Sequence, residues 1–405
     1  MRKMLAACCF VTVFLQGADW PQWRGPNRDG VVAGEPANWP EKLNLKWKIA
    51  VGEGHASPIL AGASAYVFTR LNDAETISSV DPASGKLRWQ QHYPAPYQMN
   101  PAATGHGQGP KSTPLYSNGR VYTLGINGIL SCFDAETGQL RWRKDFAQQY
   151  KEGAPDFGTA MSPVVDNGLL IVYVGGTKLG ALTAFEAATG AVKWTWDGDS
   201  PAYASPIVVD LGGVRQVVTQ SKSNIVGVAA ATGKVLWTIP FKTQYDQNIV
   251  TPVRYKDTLI FSGIDKGVFA VRLAHVGDKW STQTVWQNKD VAMYMNSPVL
   301  AGDLLFGFSH LKKGQIFCLD ARTGAIGWTG SPRGGDSAAM LASASTLYVL
   351  TPDAKIMVAR PTPKGLGEIR KYEVAESATW AHPVVLEDGL LIKDVKTLAR
   401  WSVNP

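Results

Sequence analysis

The amino-acid sequence predicts an all-β fold in which eight four-stranded blades form a closed β-propeller, with seven blades as the alternative. Three observations predict this fold: a turn motif that recurs along the chain, a Ser-Pro or Thr-Pro pair that opens most repeats, and the spacing of those pairs. The pairs lie 43 to 56 residues apart, which is typical of a propeller blade rather than of a helical solenoid.

The recurrent turn contains an acid, a Ser or Thr directly before a Gly, and a Trp four residues after that Gly. The acid and the hydroxyl bond to nearby backbone amides, and the Gly takes the positive φ that closes a turn between two strands. We expect the Trp rings to pack between neighbouring blades as structural docking points, outside any cofactor site. The motif residues are Asp81, Gly85, Trp89, Asp134, Gly138, Trp142, Glu186, Gly190, Trp194, Gly233, Trp237, Asp320, Gly324 and Trp328, and the copy that ends at Trp237 has Ala in place of the acid.

The Ser-Pro and Thr-Pro pairs mark the innermost strand of each blade. They begin at Ser57, Thr113, Ser162, Ser205, Thr251 and Ser297, with His382-Pro383 as a variant. Residues 338–374 have four strand-like segments but neither the Pro nor the Trp of the other repeats. Counting this weaker repeat gives eight blades, and leaving it out gives seven.

The two ends of the propeller are predicted to share a blade. Residues 43–51, with Trp47, resemble the last strand of a repeat, whereas residues 382–401 supply three strands and no fourth. Pairing the N-terminal strand with the C-terminal blade completes that blade and removes both open edges of the array. We therefore assign residues 43–405 to the propeller.

The first 42 residues lie outside the repeats. Arg2 and Lys3 precede an apolar run from Met4 to Leu15, and Gly17 and Ala18 supply small residues for cleavage. This pattern predicts a signal peptide over residues 1–18 and export to the periplasm or the cell exterior. Residues 5–8 also resemble a lipoprotein cleavage box, so an anchored form is the alternative. Residues 19–42 are rich in Trp, Pro and Gly and predict an ordered arm that either clasps the propeller or binds a partner.

Charge and cysteine content narrow the classes of partner. Removal of the signal peptide lowers the formal net charge from +7 to +5, and the basic residues are spread along the chain, so no nucleic acid is expected. Cys132 and Cys318 occupy equivalent strand positions in different repeats, which predicts core thiols too far apart for a disulfide. The chain shows no transmembrane segment, and we expect a monomer.

A funnel at one face of the propeller is the predicted location of any ligand. The loops that enter the innermost strands converge there, and the candidate residues before those strands are His55, His106, Lys111, Tyr203, Asn248, Asn296, Asp336 and Trp380. This mixed polar ring is consistent with a ligand-binding funnel or with a water-filled channel. The Gly-rich stretch 105–111 in the longest loop offers a His and a Lys to an anion, or serves as a surface cover.

The turn motif resembles the tryptophan-docking motif of the pyrroloquinoline quinone (PQQ) repeat, and residues 43–401 resemble that superfamily of eight-bladed propellers. The opening sequence WPQWRGP at residues 20–26 is similar to the arm that precedes the propeller in many exported bacterial members. The superfamily includes quinoprotein dehydrogenases and non-catalytic propellers, among them the periplasmic lipoprotein of the outer-membrane β-barrel assembly machine. The resemblance therefore implies the fold and leaves the function open.

The dehydrogenase resemblance implies a specific site. Those enzymes hold the quinone between a Trp floor and a disulfide of adjacent cysteines, with a calcium ion bound by carboxylate and amide oxygens and an Asp as base. The only adjacent cysteines here, Cys8 and Cys9, lie in the predicted signal peptide. In this interpretation the funnel residues Asn248, Asn296 and Asp336 supply oxygen ligands, Asp336 is also the catalytic base, and Trp380 is the floor.

Two functions follow as hypotheses. The first is an exported non-catalytic propeller that scaffolds envelope proteins or peptides, or binds a small molecule in its funnel, with no cofactor or metal. The second is a calcium-dependent quinoprotein dehydrogenase that oxidises an alcohol or sugar with PQQ. Other enzyme classes lack their motifs, because the sequence has no Cys-x-x-Cys-His, no Gly-x-Ser-x-Gly and no His pair at zinc-ligand spacing.

Overall fold

The computed structural model describes residues 19–405, and the predicted signal peptide with Cys8 and Cys9 lies outside the described residues. Eight antiparallel four-stranded sheets make up this part of the chain. The prediction of eight blades is confirmed, and the weak repeat forms a complete four-stranded sheet of its own. Seven sheets are built from consecutive strands, and the eighth combines the first strand with the last three.

The strands follow in chain order, and each blade begins with its innermost strand. The strand bounds are β1 (Asn44–Ala50); blade 1, β2 (Ile59–Ala61), β3 (Ser64–Leu71), β4 (Ala74–Val80) and β5 (Leu87–Pro94); blade 2, β6 (Leu115–Ser117), β7 (Arg120–Leu124), β8 (Leu130–Asp134) and β9 (Leu140–Lys144); blade 3, β10 (Val164–Asp166), β11 (Leu169–Gly175), β12 (Gly180–Glu186) and β13 (Val192–Trp196); blade 4, β14 (Ile207–Leu211), β15 (Val214–Gln220), β16 (Asn224–Ala229) and β17 (Val235–Pro240). The remaining bounds are blade 5, β18 (Val253–Tyr255), β19 (Thr258–Gly263), β20 (Gly267–Val276) and β21 (Lys279–Asn288); blade 6, β22 (Val299–Ala301), β23 (Leu304–Ser309), β24 (Gln315–Asp320) and β25 (Ile326–Thr329); blade 7, β26 (Ala339–Ala342), β27 (Leu347–Thr351), β28 (Lys355–Thr362) and β29 (Gly365–Glu373); and blade 8, β30 (Val384–Leu386), β31 (Gly389–Lys393) and β32 (Thr397–Ser402) with β1. Within residues 19–405, helical structure is limited to α1 (Ala147–Tyr150) and three 3₁₀ turns, Pro101–His106, Gln244–Asp246 and Leu311–Lys313.

The docking turn joins each blade to the next through one Trp and one Gly. In the turn of blade 2, the Asp134 carboxylate accepts hydrogen bonds from the backbone amides of Glu136 and Thr137. Gly138 has φ +74°, and a Cβ there would come within 2.6 Å of the Trp89 ring of blade 1. The Trp89 indole donates to the Ala135 carbonyl at 2.9 Å. A glycine is therefore required both for the turn conformation and for the approach of the neighbouring ring.

The bond from a Trp indole to a backbone carbonyl of the next blade recurs around the ring, and it includes Trp286, which lies outside the sequence motif. Indole-to-carbonyl bonds of this kind join Trp142 to Ala187, Trp194 to Ala230, Trp286 to Ala321 and Trp328 to Thr362. Trp286 lies in blade 5, where the long hairpin of β20 and β21 replaces the usual turn. Trp237 instead donates to the Gln216 side chain of its own blade, because the next blade offers no such turn.

The opening pairs connect the innermost strands by backbone-to-hydroxyl hydrogen bonds. The amide of the first residue in one pair donates to the hydroxyl of the next pair along the ring. These bonds run from Ser57 to Thr113, Thr113 to Ser162, Ser162 to Ser205, Thr251 to Ser297 and His382 to Ser57, at 2.8 to 3.2 Å. The last of them links blade 8 directly to blade 1.

The two termini meet in blade 8 as the sequence predicted. Strand β1 pairs antiparallel with β32, with Leu45 opposite Trp401 and Ile49 opposite Leu398. The apolar side chains of the strands are buried between neighbouring blades in several clusters. The predicted core thiols Cys132 and Cys318 are buried and free. Within residues 19–405, no helix has the length and apolar character that a membrane crossing requires.

The arm of residues 19–42 packs against its own propeller. Trp20 exchanges two backbone hydrogen bonds with Leu60 of blade 1, and the Val32 amide donates to the Ala342 carbonyl of blade 7. The guanidinium groups of Arg24 and Arg28 are buried between these contacts. The structure therefore supports the clasp for this arm, in which one segment bridges blades that are distant in sequence.

Candidate functional site

A cavity of about 520 Å³ opens where the loops before the innermost strands converge. Six of the eight predicted funnel residues line it, namely His55, His106, Lys111, Tyr203, Asn296 and Trp380. The rest of the lining is mostly apolar or aromatic and includes Trp23, Phe157, Tyr245, Ile249, Tyr294 and Met295. A cavity of this size and character matches the common form of a small-ligand site.

Trp23 of the arm forms the floor of this cavity. Its indole donates to the Thr251 hydroxyl at 3.1 Å, and its ring meets the buried His382 ring edge to face at 4.5 Å. Arg24 next to it donates to the carbonyls of Ser297 and Pro298 in blade 6. The arm is therefore bonded to residues at the start of two neighbouring blades and contributes an aromatic side chain to the cavity lining.

Arg28 anchors the arm on the opposite side of the ring. Its guanidinium donates to the carbonyls of Ser162 and Pro163 in blade 3, at 2.9 and 2.7 Å. Burial lowers the pKa of Arg24 to about 10 and that of Arg28 to about 9, so both remain charged at neutral pH. Two cations thus hold a backbone segment across the channel by charge-assisted hydrogen bonds.

An aromatic wall stands beside the floor. The rings of His106 and Trp380 meet edge to face with centroids 4.8 Å apart, and His55 lies 6.1 Å from His106. Burial, reinforced by the nearby Lys393, lowers the pKa of His55 to about 3, and burial together with Lys111 lowers that of His106. Both imidazoles are therefore neutral at pH 7 and present flat, weakly polar surfaces to the cavity.

Among the described residues that line the cavity, Lys111 is the one with a charged side chain. Its ammonium donates to the Phe157 carbonyl at 2.8 Å, and burial lowers its pKa to about 8. Neither Asp nor Glu is found among the described residues that line the cavity. The electrostatic character of the site is thus set by a single partly desolvated cation.

Two predicted funnel residues stand apart from the cavity. Asn248 is fully buried, and its amide donates to the carbonyls of Ser221 and Phe241, so it supports the loop wall instead of facing a ligand. Asp336 is exposed and does not line the cavity. Asn296 does line it, but its amide is engaged with the Phe308 backbone.

These positions bear on the calcium site that the dehydrogenase resemblance implies. Calcium takes six to eight oxygen ligands, and carboxylates are prominent among them. Of the three predicted oxygen donors, Asn296 lines the cavity and Asn248 and Asp336 do not, and residues 19–405 contain no cluster of three His, Cys, Asp or Glu residues suited to a metal. The two described cysteines are free and lie in different blades. The residues present therefore do not fit a calcium-held quinone.

The structure adds residues that the sequence reasoning missed. Trp23 was assigned only to the arm, and Phe157, Tyr245, Gln247 and Tyr294 were not among the candidates. Gln247 directly precedes Asn248, and Tyr294 lies two residues before Asn296, so the sequence indicated the right loops but not which of their side chains face the cavity. Tyr245 is 77% exposed and has a left-handed backbone, with φ +57°. Such a conformation is uncommon for a bulky residue and places its ring at the rim.

The eight blades and their docking turns define a PQQ-like propeller protein. A family model described as outer membrane protein assembly factor BamB matches residues 73–330. The chain belongs to this family.

Relatives of two kinds share the repeat. BamB of Shewanella oneidensis is 24% identical over 314 residues, which are 72% of this chain and 75% of that protein. The dehydrogenase subunit of a quinone alcohol dehydrogenase from Komagataeibacter europaeus is 29% identical over 160 residues, which are 38% of this chain and 21% of that protein. The match to BamB of Yersinia pestis spans 46% of that relative's length.

Solved structures of both kinds share the fold. Quinohemoprotein alcohol dehydrogenase of Comamonas testosteroni superposes with a TM-score of 0.68 at 14% identity, over 95% of this chain and 80% of that one. BamB of Moraxella catarrhalis superposes with a TM-score of 0.59 at 14% identity, over 89% of this chain and all of that one. At these identities the likeness shows the fold alone.

Proposed function

We propose that this protein is an exported, non-catalytic binding module of the bacterial cell envelope, which scaffolds envelope proteins or peptides on the mouth of its propeller. One observation carries the proposal: the described lining of the cavity is largely aromatic and apolar and contains no carboxylate, the ligand that a calcium ion beside PQQ would be expected to use. Membership of the BamB family supports an assembly role.

The mouth of the cavity is the surface we assign to the partner. Tyr245 stands exposed at its rim, and exposed aromatic side chains contribute strongly to binding when a partner buries them. Tyr245 and its neighbour Asp246 both have positive φ, +57° and +55°, within the short turn Gln244–Asp246. The Asp246 carboxylate lies 3.5 Å from the ammonium groups of both Lys222 and Lys242. The ring is therefore presented by an ordered loop.

Site-specific photocrosslinking tests this role. A benzophenone amino acid replaces Tyr245 at the mouth or Val276, an exposed hairpin residue of blade 5, and cells are irradiated with their envelope intact. We expect a defined adduct with an envelope protein at position 245 that is absent at position 276. Equal adducts at both positions, or none at either, would contradict a partner at the mouth.

The alternative function is a calcium-dependent quinoprotein dehydrogenase for an alcohol or sugar. The sequence match to a quinone alcohol dehydrogenase subunit is the observation that favours it. A titration of the mature protein with PQQ and calcium decides between the two, with the quinone absorption, the thermal midpoint and dye reduction as readouts. Saturable binding with dye reduction would establish the enzyme, whereas an unchanged midpoint would support the binding module.

A further inference from the structure

We propose that the cavity binds a carboxylate carried by an apolar or aromatic body, with the Lys111 ammonium as the partner of the carboxylate. This inference deepens the proposed function and rests on its binding role. It names the chemistry of the ligand, which the family match leaves open, and it assigns a binding residue in a loop whose Gly-rich sequence had suggested an anion site.

The charge of the cavity selects an anion. The Lys111 ammonium has three hydrogens, and the described residues supply one acceptor, the Phe157 carbonyl at 2.8 Å. A partly buried cation without a nearby carboxylate is poorly solvated, and an incoming anion compensates it. A cationic ligand finds no carboxylate in the described lining.

The scarcity of other charged groups limits the ligand to one negative charge. A phosphate dianion requires several strong donors, such as Arg side chains or a run of free backbone amides. The neighbouring rings His55 and His106 are neutral at pH 7 because burial lowers the pKa of each. A single carboxylate matches the single ammonium that lines the cavity.

The remaining surface selects an apolar body. His106 and Trp380 form an edge-to-face pair, and Ala102 and Ala103 line the same cavity with small apolar side chains. Trp23 closes the floor. Aromatic rings favour offset or edge contacts with a second flat group. An aromatic or branched apolar group attached to the carboxylate therefore fills the space that these side chains enclose.

The loop that carries Lys111 is held in place before any ligand arrives. The Pro110 carbonyl accepts the amides of His55 and Ala56 at 2.8 and 2.9 Å. Arg70 donates to the Gln108 carbonyl at 2.9 Å. Gly109 packs so tightly that a Cβ would lie 2.3 Å from the Glu53 carbonyl oxygen. Binding therefore requires little ordering of this loop, which favours affinity.

Matched acid and amide probes test the proposal by calorimetry on the mature protein. The small pair is 3-phenylpropionate and 3-phenylpropionamide, and the peptide pair is one tetrapeptide ending in Phe with a free or an amidated terminus. We expect the acid of at least one pair to bind about 10- to 100-fold more tightly than its amide, the range for a hydrogen bond to a charged group. Preference in the small pair indicates a free metabolite, and preference only in the peptide pair indicates a chain end.

Two variants assign the preference to its residue. Lys111→Met keeps the length of the side chain and removes the charge, so the acid preference should disappear. Lys266→Met alters an exposed lysine outside the lining and should retain it. The proposal is overturned if acid and amide bind equally, if neither pair binds, or if Lys111→Met keeps the preference. The comparison in the unaltered protein decides the question even if Lys111→Met fails to fold.

The failure of this inference and that of the proposed function give different results. If position 245 gives a crosslink but the acid and the amide bind equally, the carboxylate ligand is refuted and the proposed binding function stands. Dye reduction with PQQ removes the binding module, whatever the acid and amide show.

Discussion

The buried His382 should make the protein sensitive to mild acid. Its ring is 4% exposed, its Nδ1 has no hydrogen-bond partner within residues 19–405, and it packs against Trp23 at 4.5 Å. Burial, with the Arg24 charge as a second cause, lowers the pKa of His382 from 6.5 to about 3. As the pH falls, His382 is therefore protonated in the unfolded chain before it is protonated in the folded protein. The contribution of the neutral His382 to the free energy of unfolding is complete above pH 6.5 and is lost progressively as the pH falls towards 3.

The magnitude follows from the width of that window. A pH of 4.5 lies about two units below the unfolded-state pKa of 6.5. At about 1.36 kcal/mol per unit, protonation of His382 then stabilises the unfolded chain relative to the folded one by about 3 kcal/mol. Urea unfolding at pH 7 and pH 4.5 measures the loss for the unaltered protein and for His382→Phe, which keeps a ring and cannot be protonated. We expect the variant to lose about 3 kcal/mol less, while the exposed His92→Gln serves as control. Equal losses in the unaltered protein and His382→Phe would refute the reasoning.

Three further predictions follow from the fold. Trp194→Ala should lower the free energy of unfolding by about 3 to 5 kcal/mol, because the buried ring packs directly on Gly233 of the next blade. Urea unfolding measures this loss, and a value below about 1 kcal/mol would contradict a docking role. A chain that begins at Glu41 should show a lower thermal midpoint by calorimetry, because it lacks the buried guanidinium groups of the arm, and an unchanged midpoint would rule out the clasp. Burial raises the pKa of Cys132 to about 12 and that of Cys318 to about 11. N-ethylmaleimide at pH 8 should therefore label both thiols only after unfolding. Labelling of the native protein would show that the thiols are accessible.

The sequence predicted those parts of the fold that depend on local chemistry. The Asp134 turn could be recognised because its acid, hydroxyl and Gly act within a few residues, and the same turn recurs at blade spacing. Trp286 was not assigned a docking role, because the lengthened hairpin of blade 5 replaces the turn motif that precedes the other docking Trp residues. Its docking contact with Ala321 depends on packing between blades and has no local signature.

The candidate site was predicted in part for a related reason. Residues close to an innermost strand, such as His55 and Trp380, are placed at the mouth by the propeller topology alone. The direction of a side chain depends on the hydrogen bonds around it, and so Asn248 turns into the wall while Lys111 reaches the cavity. The floor residue Trp23 could not be assigned, because its place depends on Arg24 and Arg28 contacts made more than 130 residues away.

The path of the arm sets the order in which the molecule can be completed. Arg24 contacts residues 273 and 274 positions further along the chain, and Lys46 reaches the carbonyl of Pro405. Contacts of such sequence separation form slowly, because a long loop must close before they stabilise anything. Strand β1 and the arm, although they are made first, must wait until blade 8 has emerged. During synthesis the N-terminal region therefore lacks its long-range partners, and the pairing that closes blade 8 forms only after β32 has been made.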